Sequence, residues 1–488
     1  MPDVSESTPF KKEAAEPAGY SQELKRTLGP AQVFAISFAF ISVAVGVFGT
    51  YDDVLRNAGP VGIWLWIIPT IGQTLVALVI AQFAARISLA GSAYQWASQL
   101  ANPRIGWGFG WISFCYLAIG VVAVDNALAS MAFMPLVGLE PNEEVARTIT
   151  VVVLLIQAVL AIASTRIVSV LNVCAVGIEL AIIGVLVIAL TIAVLVTGLG
   201  STANLTARGI TANAPDYFAV GGGLTIAMLM GLTTLTGFDA AANLAEEAKD
   251  PYRNVPRAIV GSVLAAGLLG LLFLIALTVA IPDVTRLSHD PSPVATILRE
   301  QLGHGMEVAL LAAITFAFFA CGMVTMVTGA RLVYAMSRDS RFPAHRLMRR
   351  VSSRTQTPIP ATLLMLAGGI VLMLALPGDA LIQLITAATI LPILLYTITV
   401  ILYLAVRGKL ERKEGAFDLG RFELPIAITA LIWLILAMFI LVTPDEALIP
   451  VLIVVGLMLV GGLFFLSILI FDRKSLESEP EAQPVFRH

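Results

Sequence analysis

The chain has 488 residues, of which 58% are hydrophobic and 13% charged, with a net charge of −3 and a mean hydropathy of +0.89. Globular proteins carry roughly 25% charged residues, so this chain cannot cover a soluble surface of its size; disorder, an ordinary cytosolic enzyme and a nucleic-acid-binding surface are excluded with it. The composition points to an all-α polytopic membrane protein.

Cys115, Cys174 and Cys321 all lie in apolar stretches, so neither a disulfide framework nor a metal cluster is expected, and no cofactor motif occurs. Residues 1–30 are polar and contain Lys11, Lys12, Lys25 and Arg26 without an apolar core, which reads as a cytoplasmic tail and not a signal peptide. A hydrocarbon layer ~30 Å thick needs ~20 apolar residues per helix. By that ruler twelve spans follow, at 31–56, 60–85, 106–137, 148–165, 169–199, 218–245, 258–282, 306–336, 359–377, 380–406, 424–443 and 447–471. With the N-terminus inside, 24 Lys and Arg fall in inner segments and 5 (Arg56, Arg147, Arg208, Arg286, Arg299) in outer ones, which predicts both termini in the cytoplasm. Residues 472–488 form a second short polar tail, and no loop is long enough for a soluble domain.

In chain order, the first span carries two glycines and two hydroxyls in mid-membrane (SVAVGVFGT, 42–50). In the third, Asp125 stands mid-helix in VAVDN; in the fifth, Glu179 is likewise embedded. The sixth repeats the first's irregularity more strongly (GLTTLTGFD, 231–239). Glycine tolerates an unwound turn, and threonine hydroxyls compete for backbone carbonyls. Spans one and six are five apart, as an inverted five-plus-five repeat demands, and such breaks bind substrate at the midplane of secondary transporters; close helix packing is the alternative use of small residues. A carboxylate within a span costs at least roughly 2.5–3.5 kcal/mol. Asp125 suits a substrate ammonium or a proton, or a structural hydrogen bond. Glu179 suits a coupling proton, or a neutral bond to another helix. Asp239 follows the second break, where capping a half-helix and exchanging a proton are both open. Phe238 is a candidate lid over the substrate, with ordinary packing as the alternative.

Several stretches together resemble the amino acid–polyamine–organocation superfamily of permeases. They are residues 237–259 (GFDAAANLAEEAKDPYRNVPRAI), 88–96 (SLAGSAYQW), 329–343 (GARLVYAMSRDSRFP) and 357–361 (TPIPA). The wording at 88–96 and the NAGP at 57–60 are most similar to the amino acid/choline transporter branch, whose members carry γ-aminobutyrate, choline, ethanolamine and related compounds. The resemblance implies two five-helix repeats (31–199 and 200–406), two peripheral helices (407–471) and alternating access. It places Val43, Ala44, Val45, Gly46 and Val47 in the first unwound segment, and Thr236, Gly237, Phe238 and Asp239 in the second, with Phe238 as gate. Ala44-Val45-Gly46 departs from the small-residue run of many members. With Asp125, this points toward a cationic amine or an ω-amino acid. Arg253, Arg257, Arg331 and the Arg338–Arg354 cluster face anionic headgroups or pair with Glu246, Glu247 or Asp339.

These features predict a plasma-membrane importer of an amino acid or small amine, coupled to protons in preference to sodium. An exchanger, or a transporter-like partner or sensor subunit, is the alternative. An enzyme is not expected, since the four histidines lie in loops or the tail, and no phosphate-binding loop of an ATP-driven pump occurs.

Overall fold

Proline and short polar side chains set where the helices begin. Pro30, Pro60, Pro103 and Pro251 occupy first-turn positions, where a missing N–H costs no hydrogen bond. The side chains of Asn102, Asn142 and Ser164 cap the helices that follow, accepting the amide hydrogens of Ile105, Val145 and Arg166. In the computed structural model the described residues are 26–140, 142–290, 292–375, 378–410, 415–444, 447–471, 473 and 476, with no side chains described at 378–385 and 471. The expected polar tails fall almost wholly outside them.

The chain crosses as Pro30–Asn57, Pro60–Arg86, Pro103–Leu136, Glu143–Ala163 and Thr165–Thr197. The sixth crossing is Gly223–Thr234 followed by a break and the short turn Ala240–Asn243. Then come Pro251–Val279, His304–Arg338, Ile359–Ala375, Gly378–Val406, Glu423–Val442 and Leu448–Phe471. All twelve expected spans are helical. Ten are long enough to cross alone; the sixth and ninth are shorter apolar helices. No strand occurs among the described residues, only an isolated parallel bridge between Leu28 and Ala248. Twelve crossings return the chain to the face from which it started, here called the terminal face.

The first, second, third, seventh, eighth and tenth crossings form the centre: the seventh packs on the second and first, the eighth on the third and fifth, the tenth on the third. The twelfth is only 11% buried over its most apolar stretch, which puts it at the periphery with its apolar side chains outward.

Both expected interruptions are present, one of them displaced. In the first crossing the helix breaks at Ser42 (φ 38°, ψ 95°), between Pro30–Ile41 and Val43–Asn57. Val43 to Val47 are therefore not unwound, as the sequence suggested; they open the second half-helix. Buried valines at 43 and 47 keep helical geometry against their neighbours, while Ser42 has a polar partner across the bundle that compensates its non-helical backbone. In the sixth crossing the break runs from Leu235 to Asp239 and includes Gly237 at φ +79°.

Candidate functional site

The two breaks meet. A β-carbon added at Gly46 would collide with the side chain of Thr234, so glycine is what lets the second half of the first helix approach the end of Gly223–Thr234. Beside them lies a cavity of about 210 Å³ lined by Phe40, Val45, Gly46, Tyr116, Thr233, Thr234, Thr236, Cys321, Thr325, Ala388, Thr389 and Pro392, with small residues of the third helix between. Most of this lining lies in helix halves remote from the terminal face. Among the described residues none of the lining side chains is charged; the polar groups are hydroxyls, a thiol and backbone. Pro392 adds to the backbone share, because a proline inside a helix leaves the carbonyl four residues earlier, that of Ala388, without its helical donor.

Four buried side chains bond to the backbone at the breaks. The Glu179 carboxylate accepts the amide hydrogen of Ala44 at 2.9 Å and the Ser42 hydroxyl at 3.1 Å. It thereby serves from another helix as the N-cap that Ser42 does not supply. Tyr396 does the corresponding work at the second break: its hydroxyl accepts from the Gly237 amide at 2.9 Å and donates to Asp239 at 2.7 Å. Ser37 donates to the Phe238 carbonyl at 2.7 Å, and the Cys321 thiol to the Phe40 carbonyl at 3.3 Å. Towards the terminal face is a second, nearly closed pocket of about 10 Å³, lined by Ser92, Ser113, Gly237, Asp239, Asn243 and Thr328 among others.

Of the residues singled out from sequence, Val45, Gly46 and Thr236 line the cavity and Gly237 and Asp239 the lower pocket. Val43 and Val47 are fully buried and Ala44 contributes its amide to Glu179. Asp125 does not face the cavity. Its carboxylate is enclosed between the third, fourth and eighth helices, accepts the Gln157 amide at 2.7 Å, and sits where a β-carbon at Gly322 would be. Of the uses left open for it, a substrate ammonium, a proton or a structural hydrogen bond, the last is the one this geometry presents, because the phase of the third helix turns the residue away from the cavity. Phe238 is likewise no lid: it is fully buried, stacks on Tyr396 at 4.9 Å, and lines neither pocket. Asp239 stands at the start of the short turn but makes no side-chain cap, its carboxylate being taken by Tyr396. Sequence reasoning missed Phe40, Tyr116 and Tyr396. Pro392 within an apolar span was the one signal for the tenth helix's share.

The terminal face is closed by charge. Arg331 meets Glu247 at 2.7 Å with both side chains buried, and Arg338 meets Glu246 at 3.1 Å. Tyr94 donates to Asp339 at 2.6 Å, and Leu28 pairs by backbone with the segment 247–249. Arg86 pairs with Glu423 at 3.8 Å and Arg341 with Asp339 at 3.9 Å, all four side chains buried, whereas Arg253, Arg257, Arg346, Arg349, Arg350 and Arg354 are exposed, so closure of this face is the work of the buried arginines and not of the whole basic cluster.

A helical bundle with two apposed midplane breaks, a small uncharged cavity between them and an ion-paired closure on one side defines a polytopic membrane permease. Residues 28–470 match the family model described as amino acid permease, and the chain belongs to that family, within the amino acid–polyamine–organocation superfamily. It is 28% identical to amino-acid permease BAT1 of Arabidopsis thaliana over 446 residues, covering 86% of this chain and 85% of the relative. It is 25% identical to the BAT1 homolog of Oryza sativa, covering 85% and 84%. With the GABA-specific permease of Saccharomyces cerevisiae the identity is 26%, covering 84% and 74%. The family consists of transporters and not enzymes.

Proposed function

We propose that this permease imports a small zwitterionic amino acid, α or ω, across the plasma membrane by alternating access, driven by protons, with both termini cytoplasmic and residues 31–199 and 200–406 as its inverted repeats. The observation that carries the substrate reading is that, among the described residues, no charged side chain lines the cavity. A zwitterion needs none: its carboxylate finds the N-terminal end of the half-helix at Val45 and Gly46, its ammonium the C-terminal carbonyls of Gly223–Thr234 and the Ala388 carbonyl. A choline or polyamine cation would bring uncompensated charge, which favours the amino acid over the amines of the sequence-based expectation. A cavity of this size suits a solute smaller than the drug-sized ligands of ordinary pockets.

Proton coupling is supported by the place of Glu179. Ionised, its negative charge compensates the positive end of the half-helix that a substrate carboxylate would use; protonated, it withdraws that charge while still accepting the Ala44 amide hydrogen. Substrate binding and Glu179 protonation then favour one another, and the linkage is reciprocal. Reconstituted protein would be given radiolabelled γ-aminobutyrate, a neutral α-amino acid, ethanolamine, choline and putrescine under an imposed pH gradient or a sodium gradient. Accumulation of a zwitterion under the pH gradient is expected. Accumulation only under the sodium gradient, only by counterflow against a preloaded amino acid, or only of the cationic amines would overturn the coupling, the importer or the substrate reading respectively.

A further inference from the structure

The segment between the eighth and ninth helices carries positive charge that nothing near it in the sequence offsets. From 340 to 378 the chain holds five arginines and no Asp or Glu. Arg341 is buried against Asp339, whereas Arg346, Arg349, Arg350 and Arg354 are exposed and form no ion pair among the described residues. The display is ordered. The turn His345–Met348 continues to Arg350, whose amide donates to the Leu347 carbonyl at 3.1 Å, so Arg346, Arg349 and Arg350 share one face at i, i+3 and i+4. Beyond it, Ser352 and Thr357 are joined by backbone, and the Thr357 hydroxyl donates to the Ile162 carbonyl at 3.1 Å.

A second observation brings the end of the chain to this place. Leu476 is 2% exposed and belongs to the apolar cluster that contains Trp107, Met336 and Phe342, with Met348 packed against it. Met348 lies in the same turn as Arg346. The residues after Leu476 fall outside the described ones, but their sequence is Glu477-Ser478-Glu479-Pro480-Glu481, with no Lys or Arg before Arg487. A proline biases the residue before it toward extended backbone, and in an extended chain side chains two apart share a face. That pattern sets Glu477, Glu479 and Glu481 on one edge, and five extended residues reach about 17 Å from Leu476.

We propose that the acidic segment 477–481 docks on Arg346, Arg349 and Arg350, making the C-terminal tail the partner of the basic loop on the terminal face. Leu476 is its apolar anchor, and the three carboxylates meet the three arginines of the turn. Exposed ion pairs are individually weak and are screened by salt. Docking is therefore reversible and answers to ionic strength, and it fastens or frees the loop that follows the eighth helix. The competing occupant of such a patch is an anionic lipid headgroup. Leu476 favours the tail, because its burial in the cluster that Met348 joins delivers the acidic run to the arginines.

The test is thiol cross-linking with a short bis-maleimide in full-length protein whose native cysteines are replaced, held in lipid nanodiscs. Ser353→Cys reports the loop and Ser478→Cys the tail; neither serine is charged, and Ser353 is exposed. In zwitterionic lipid the pair is expected to cross-link. Arg346→Gln with Arg349→Gln and Arg350→Gln slows the reaction by about tenfold, as the loss of three exposed pairs implies. Salt at about 1 M, where the Debye length is ~3 Å, does the same. Changing the three arginines to Glu abolishes cross-linking, and adding Glu477→Lys, Glu479→Lys and Glu481→Lys restores it, which a misfolded loop could not do. Cross-linking that is absent, or indifferent to the arginine substitutions and to salt, would overturn the docking. So would its loss when anionic lipid replaces part of the zwitterionic lipid, since the patch then belongs to the headgroups. The readout requires no substrate and stands apart from the transport reading.

Discussion

Glu179 is the residue whose chemistry is most changed by seeing it in three dimensions. As a buried acid in the fifth span it reads as a charge to be neutralised; bonded to Ala44 and Ser42 it is the group that lets the first helix be broken at all. Glu179→Gln keeps an acceptor for the Ala44 amide and removes the ionisable group. Wild-type substrate affinity is expected to fall as pH rises, because the ionised carboxylate competes for the helix end. The Gln variant should show a flat affinity–pH profile and lose accumulation driven by a pH gradient, while retaining counterflow exchange. The coupling lost is on the order of 1–3 kcal/mol, read by substrate binding across a pH series. Gly237 makes a purely structural demand. At φ +79° and against Phe40 it has no room for a side chain, and Gly237→Ala should destabilise the protein by about 1–3 kcal/mol from backbone strain alone. A lowered unfolding temperature in detergent checks this, and an unchanged one would refute it.

At the scale of helices, what the sequence made legible was whatever depends on composition along one segment. The twelve spans follow from hydrocarbon thickness, and the sixth break from glycine and threonine crowding a few residues. What it withheld depends on helix phase and on partners far along the chain. The first break fell at Ser42 and not within Val43 to Val47 because its compensating bonds come from Glu179, 137 residues away. Asp125 illustrates phase: nothing in VAVDN tells which way the third helix turns it, and it faces Gln157 and Gly322 instead of the cavity. Asp125→Asn should therefore leave the substrate's apparent affinity within about threefold, less than the 1.4 kcal/mol that separates tenfold effects, as measured by uptake competition. A selective loss of affinity would restore Asp125 to the site. The cavity-facing aromatics were missed for the same reason. Phe40 and Tyr116 sit in runs that look like ordinary apolar helix, and only the packing of their helices brings them to the cavity wall.

The whole molecule is asymmetric between its faces. Its cavity lies mostly on one side of the breaks, while the other side is sealed by buried ion pairs, so the conformation is one in which the terminal face is shut. Basic residues dominate that face in the sequence, but their number says nothing of which are structural: Arg331 is 1% exposed, whereas Arg346 and Arg350 are open to solvent. The Arg331–Glu247 pair sets how firmly the shut state is held. Taking away one partner of a buried pair leaves an uncompensated charge and costs about 3–5 kcal/mol, and that cost falls only on the state in which Arg331 is buried. Glu247→Gln should therefore shift the population toward a state open on the terminal face, where Arg331 is hydrated. A cysteine at Ser113 in the lower pocket should then be labelled faster by an impermeant reagent from the terminal side, and substrate affinity from the opposite side should fall. Replacing both partners by apolar residues, Arg331→Met with Glu247→Leu, removes the stranded charge and should bring labelling back toward the wild-type rate. If the single and double variants labelled alike, the pair would be closing the face by shape and not by charge.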